Sequence, residues 1–186
     1  MVAISGASGM VYARRALQIL GSVYDTVYLT ASDNAATIIR QELDIDSLEQ
    51  LIPCGVEAEV RLLDSSDLSA PPASGSHEYD GLIVVPCSMG VVGRIAAGVS
   101  ADLVTRAADV CLKERRKLVL VVRETPLNLV HLRNLMAVAE AGAVVLPAAP
   151  AFYARPRSID DLVDFVVDRA LRALGCGARL VEGWGE

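Results

Sequence analysis

Short apolar runs alternate along this chain with longer segments whose apolar positions recur every three to four residues, a pattern that predicts strands and helices in turn. Residues 2–5 read as a short strand, and residues 10–20, MVYARRALQIL, carry helical spacing. A second strand is expected over 26–30, a helix over 31–42, a short helix or irregular turn over 44–53, and a strand over 56–63. Residues 64–79, DSSDLSAPPASGSHEY, are too rich in Ser, Pro and Gly for regular structure, and a loop of this length in a compact domain is commonly functional. The pattern resumes with a strand over 81–86 and a helix over 91–97.

The stretch 102–124, DLVTRAADVCLKERRKLVLVVRE, organises the rest. It reads as a helix with the apolar face Val104, Ala107, Ala108, Val110 and Cys111, then a basic turn, then the strand LVLVV. That strand does not alternate, as expected when both of its faces are covered. Arg106 and Lys113 lie seven residues apart, which returns them to within about 20° of one helical face. Arg123 and Glu124 follow the strand directly, at the carboxyl end where open parallel sheets bind ligands. Each cation alone reads as a solvated charge. Their joint placement, in a chain whose only lysines are Lys113 and Lys117, favours an anion site.

Beyond this stretch a helix is expected to restart at Thr125-Pro126, with Pro126 in its first turn, and to end at Gly142. A strand over 143–146, an irregular segment PAAPAFYARPRS and a last helix over 159–174, opened by a Ser158–Asp161 capping box, complete the pattern. Strands alternating with helices describe an α/β, Rossmann-like doubly wound fold with a mainly parallel sheet. One domain over 1–175 is expected, with a tail over 176–186 closing near the site.

Composition narrows the function classes. At 186 residues the chain supports one good core. Hydrophobic residues make up 53%, yet no apolar run approaches the roughly 20 residues that span a bilayer. No membrane segment is expected, and the surplus apolar surface points to burial between subunits. A net charge of −6 argues against nucleic acid as a partner but leaves room for a local anion site. Cys54, Cys87, Cys111 and Cys176 are scattered, with only His77 and His131 to assist them, so neither a metal site nor a disulfide framework is expected. Reduced thiols and the lack of a leading signal region make the cytoplasm the expected location.

Two strand-to-helix turns carry candidate chemistry. In Gly6-Ala7-Ser8-Gly9 the glycines allow tight turning, Ser8 adds a hydroxyl, and the amides of the helix start favour an anion by about 0.3–1 kcal/mol. A lone turn of this kind serves structure equally well. The second turn, Cys87-Ser88-Met89-Gly90, repeats the arrangement. With no base nearby, Cys87 reads as a packing residue rather than a nucleophile. Ser32 fits a helix cap as well as a ligand, and Glu42 and Arg169 fit solvated charges as well as site residues. A nicotinamide-dependent reductase is a weak reading: the third fingerprint glycine falls at Tyr12, no Y-x-x-x-K pair exists, and no acidic residue ends the second strand. A non-catalytic interaction module leaves the cations and both glycine turns unexplained.

Taken together, ISGASG, VVPCSMG, TRAADVCLKERRKLVLVVRETPL, GAVVLPAAPAFYARPRSIDDLVDFVVDRAL and the closing WGE resemble the flavin prenyltransferase family, the UbiX type, over nearly the whole chain. The resemblance implies a flavoprotein, usually a homo-oligomeric dodecamer, that joins a dimethylallyl group from dimethylallyl monophosphate to reduced FMN without a metal. Its product, prenylated FMN, serves UbiD-type decarboxylases. By position, the resemblance implies FMN binding at Gly6, Ala7, Ser8, Ser32, Ser88, Met89, Gly90, Val91 and Arg123. It implies substrate binding at Arg106, Lys113, Tyr153 and Arg169, with Trp184 nearby. Catalytic roles fall on Glu124, on Lys113 and on Glu42, the last reaching the site from a neighbouring subunit.

Such cations would stabilise the departing phosphate, each charge-assisted bond contributing about 1.5–3 kcal/mol. Glu124 or the phosphate itself is the available base for the proton lost on ring closure. Asn128, where His is common, and Arg94, in a helix usually more apolar there, depart from the family pattern, and neither matches a ligand position. The FMN-dependent cysteine decarboxylases share the general fold, but their P-x-M-N-x-x-M-W run is absent.

Overall fold

The computed structural model describes residues 1–153 and 155–182. Its strands are β1 (Val2–Ile4), β2 (Thr26–Ala31), β3 (Glu59–Leu63), β4 (Gly81–Cys87), β5 (Lys117–Val122) and β6 (Val144–Pro147). The helices are α1 (Met10–Leu20), α2 (Asp33–Leu43), α3 (Leu48–Leu51), α4 (Met89–Ala96), α5 (Leu103–Lys113), α6 (Leu129–Glu140) and α7 (Ile159–Leu174). The strands form one parallel sheet in the order β3-β2-β1-β4-β5-β6. From β1 the chain winds outward to β3, then returns to the centre at β4 and winds the other way. The carboxyl ends of β1 and β4 therefore frame the topological switch point, where sheets of this kind open a crevice.

Side-chain alternation distributes the core between the two faces of the sheet. Val119 and Val121 of β5 pack with Leu17, Val167 and Leu171 from α1 and α7. Leu118, Leu120 and Val122 pack with Val92, Val104 and Ala108 from α4 and α5. Both faces are dry, which is why LVLVV carries no polar alternation. The edge strand β6 has no buried residue, in the sequence Val144 exposed, Val145 and Leu146 half-buried, Pro147 exposed.

Most element boundaries follow local caps. Asp102 and Thr105 form a capping box on α5, and Ser158 and Asp161 form the expected one on α7. The helix expected from Thr125-Pro126 instead starts at Leu129, because the Asn128 side chain accepts a hydrogen bond from His131 N at 2.8 Å. Thr125 and Pro126 belong to the preceding turn. The loop after β3, expected to lack regular structure, contains a 3-10 turn at Pro71–Ala73, whose Ala70 and Ala73 bury against Leu103. The third strand begins three residues later than expected, since the amides of Glu57 and Ala58 bond to Gly21 O rather than to the sheet. After α7 the chain doubles back along it: the buried carboxylate of Asp168 accepts from Leu180 N at 2.8 Å and pairs with Arg172 at 2.7 Å.

Candidate functional site

The two strand-to-helix turns meet at the switch point through a residue that the sequence reading passed over as part of a strand. Ser5 is fully buried; its hydroxyl donates to Pro86 O at 3.0 Å and accepts from Ser88 N at 2.8 Å. One side chain thus locks the end of β1 to the end of β4. At Gly6 the chain passes so close to α2 that an added Cβ would lie 2.7 Å from Asn34 Cβ. Gly9 enters α1 at φ +111°, a conformation natural to glycine.

The anion at the start of α1 is a carboxylate of the chain itself. Glu42 accepts from Gly9 N at 2.9 Å and from Met10 N at 2.8 Å. Partial burial works to raise its pKa, but the Ser8 hydroxyl, the two amides and the charge of Arg123 together lower it below the ordinary glutamate value. Within one chain the amides that open α1 are therefore met by the Glu42 carboxylate.

Beside it lies a cleft of about 610 Å³, onto which Gly6, Ser32, Ser88, Gly90 and Val91 of the expected set converge. Ser32 occupies the cap position of α2 without a side-chain capping bond, so its hydroxyl is not committed to that helix. Ser88 does cap α4, accepting from Val91 N at 3.4 Å. Ala7 and Met89 are buried beneath the turns and support them from the core side. The cleft also takes in Arg94, Asp102 and residues 64–66, none of which was expected as a ligand. The signal for the last of these was the length of the loop after β3; for Arg94 it was the odd charge in an apolar helix.

Arg123 stands at the end of β5. Its N–H donates to Cys87 O at 3.2 Å, and its guanidinium Nε is buried without a hydrogen-bond partner. The next residue, Glu124, is exposed, with one oxygen accepting from Thr125 N at 3.1 Å. Cys87 is fully buried, and burial pushes its thiol pKa up, as fits packing and not nucleophilic attack.

Arg169 and Tyr153 both lie near Phe165 of α7. Arg169 lines a cleft of about 500 Å³ between β6 and α7, shared with Leu146, Pro147 and Phe165. Tyr153 sets its ring edge-on to Phe165, with centroids 6.1 Å apart. Trp184 lies outside the described residues.

Arg106 and Lys113 do share a face of α5, as their spacing predicted, but that face meets the loop before β4. Arg106 donates to Ala73 O at 3.0 Å and pairs with Asp109 at 2.7 Å. Lys113 pairs with Glu114 beside Gly75. From Asp102 in the cleft, α5 runs eleven residues away from the carboxyl edge, roughly 16 Å at helical rise. Lys113 therefore precedes the amino end of β5, while Arg123 follows its carboxyl end. The expectation that Arg106, Lys113 and Arg169 surround one phosphate is not met within a single chain.

Among the described residues no group of three or more His, Cys, Asp or Glu side chains has an arrangement that could hold a metal ion, and no helix is long and apolar enough to cross a membrane.

Residues 1–171 match the profile of the Flavoprotein family. A flavin prenyltransferase UbiX from Methanocaldococcus jannaschii is 42% identical over 185 residues, covering 100% of this chain and 97% of that protein. A crystal structure of a UbiX protein in complex with FMN and dimethylallyl pyrophosphate superposes with a TM-score of 0.89 at 41% identity, covering 100% of this chain and 96% of that one. A dodecameric FMN-dependent UbiX-like decarboxylase from Escherichia coli O157:H7 superposes with a TM-score of 0.89 at 38% identity over the whole of both chains. An FMN-dependent cysteine decarboxylase of thioviridamide biosynthesis shares the fold at 16% identity, with a TM-score of 0.63 over 94% of this chain and 96% of that one.

Proposed function

The chain belongs to the flavoprotein family, among the UbiX-type flavin prenyltransferases, and from that premise we propose how its residues divide the reaction between them. The enzyme joins a dimethylallyl group from a dimethylallyl phosphate to reduced FMN, giving prenylated FMN. The observation that carries this reading in the chain itself is the switch-point cleft, where Ser5 locks the end of β1 to the end of β4 and the Arg123 N–H donates to Cys87 O at the same strand end.

These residues fit FMN. Gly6 leaves a groove that a Cβ would crowd, Ser32 and Ser88 offer hydroxyls, and Arg123 carries a buried Nε still in need of an acceptor. An unpaired buried donor is costly unless a ligand satisfies it. When bound, reduced FMN supplies the nucleophilic ring atoms. Arg169 and Tyr153 hold the donor phosphate and stabilise the charge that develops on it. Glu124, exposed at the end of β5, takes up the ring proton, or the departing phosphate does so in its place. Glu42, held as a carboxylate, fixes the first turn.

Lys113 and Arg106 act in the site of a neighbouring subunit within a homo-oligomer, for which a dodecamer is our specific assignment. The full-length match to a dodecameric relative and the exposed apolar face of α6 support it. Residues 176–186 are assigned as the tail that closes near the site, a reading supported by the bond from Leu180 N to the buried carboxylate of Asp168. Four unpaired cysteines support a cytoplasmic location, and the product goes to a UbiD-type decarboxylase.

The test is direct. The purified protein, given reduced FMN and dimethylallyl monophosphate, should yield a flavin heavier by one five-carbon unit in a mass spectrum. The same incubation with the pyrophosphate establishes which donor is used. An unmodified flavin with both donors overturns the reading.

A further inference from the structure

We infer that Arg94 is a flavin-binding residue that neutralises the phosphate of FMN at the start of α4. This rests on the flavin reading above and extends it to a side chain that the family motifs do not assign. Of the two helix starts at the switch point, that of α1 is occupied by the Glu42 carboxylate, through Gly9 N and Met10 N. The start of α4 carries no such carboxylate: Ser88, Gly90 and Val91 line the cleft, and although Val91 N is capped by the Ser88 hydroxyl, the amides ahead of it have no intrahelical partner. An FMN phosphate entering this cleft therefore has α4 as its helix dipole.

The charges around it then become decisive. Asp33, Asp64 and Asp102 line the same cleft, and among its described lining residues Arg94 is the single cation. Asp64 is held ionised, since Ser66 donates to it through both N–H and hydroxyl at 2.8 Å. Without a counter-charge, three carboxylates would repel a phosphate monoester. Arg94 sits four residues after Gly90 and so projects from the same face of α4. Its Nη2 reaches Asp102 at 3.2 Å, while its Nε is buried with no partner. Asp102 uses its other oxygen to cap α5 at Thr105 N, 2.8 Å away. The guanidinium is thus held against the cleft by one contact and keeps a buried donor unsatisfied, the arrangement expected of a preorganised anion ligand.

Riboflavin, which lacks the phosphate, separates this role from a purely structural one. Fluorescence titration of the full protein with FMN and with riboflavin should show wild type favouring FMN. Arg94→Gln should weaken FMN by about tenfold or more, as for loss of a charge-assisted contact, and leave riboflavin unchanged. Asp102→Asn keeps the α5 cap but removes a carboxylate, and should bind FMN as well as wild type or better. Equal loss of both flavins in Arg94→Gln, or loss of FMN in Asp102→Asn, would make the pair a strut between α4 and α5 and overturn the inference. A wild type that binds both flavins equally would also overturn the inference, whereas one that binds neither would count against the flavin reading itself.

Discussion

Glu42 shows how one side chain can set the electrostatics of a turn 33 residues away in sequence. Its carboxylate stands at Gly9 and Met10 where an external anion could, so the start of α1 is capped by the chain itself. The lowered pKa has a definite consequence for stability. A group whose folded pKa lies below its unfolded value contributes stability that is fully present above the unfolded value, about 4.3 for glutamate, and is lost as pH falls through the folded one. Glu42→Gln should therefore lower Tm at neutral pH and flatten the fall in Tm on the acid side, measured by thermal unfolding from neutral pH downward. Parallel curves for wild type and variant would show that the carboxylate is not held by the turn. The contact was not legible in the sequence, where Glu42 is only a polar residue near a helix end. It depends on how the end of α2 packs beside the start of α1, which no local spacing encodes.

Elements whose signals are local were legible. LVLVV, the Ser158 capping box and the apolar face of α5 read correctly because periodicity and caps act within a few residues. Where two local signals compete the outcome was less transparent: Pro126 suits a first helical turn, yet the Asn128 cap starts α6 at Leu129. Which residues share the cleft was harder still, since Arg94 and residues 64–66 arrive there only through the order in which the elements pack. The approach of the first turn to α2 belongs to this class and makes a separable test. Gly6→Ala would place a methyl 2.7 Å from Asn34 Cβ, forcing the turn and α2 apart. Flavin affinity should fall by roughly tenfold or more, and Asn34→Gly in the same chain, which removes the opposing Cβ, should restore most of it. Titration of both variants with FMN checks this, and a double variant as weak as the single one would place the damage elsewhere.

At the scale of the whole molecule, two facts point outward from the chain. Helix α6 buries only Val138, and leaves Leu129 60%, Val130 60% and Met136 58% exposed on a segment whose polar residues are few. Such a face in a chain that is 53% hydrophobic calls for a covering surface, and a second copy of the chain is the partner proposed for it. Independently, the six residues of β5, about 20 Å at strand rise, separate the end that follows Lys113 from the end that precedes Arg123 and Glu124. If Lys113 acts on the same phosphate as the flavin-edge residues, the site must combine two chains. Lys113→Ala and Glu124→Gln should each be nearly inactive alone. Mixed and allowed to exchange subunits, they should recover activity, because some sites would pair an intact Glu124 from one chain with an intact Lys113 from another, about a quarter of them in a random equal mixture of two-chain sites. The recovery should track the appearance of mixed oligomers by native mass spectrometry. Mixed oligomers without any recovery would confine Lys113 to its own chain and leave it as a partner of Glu114 alone.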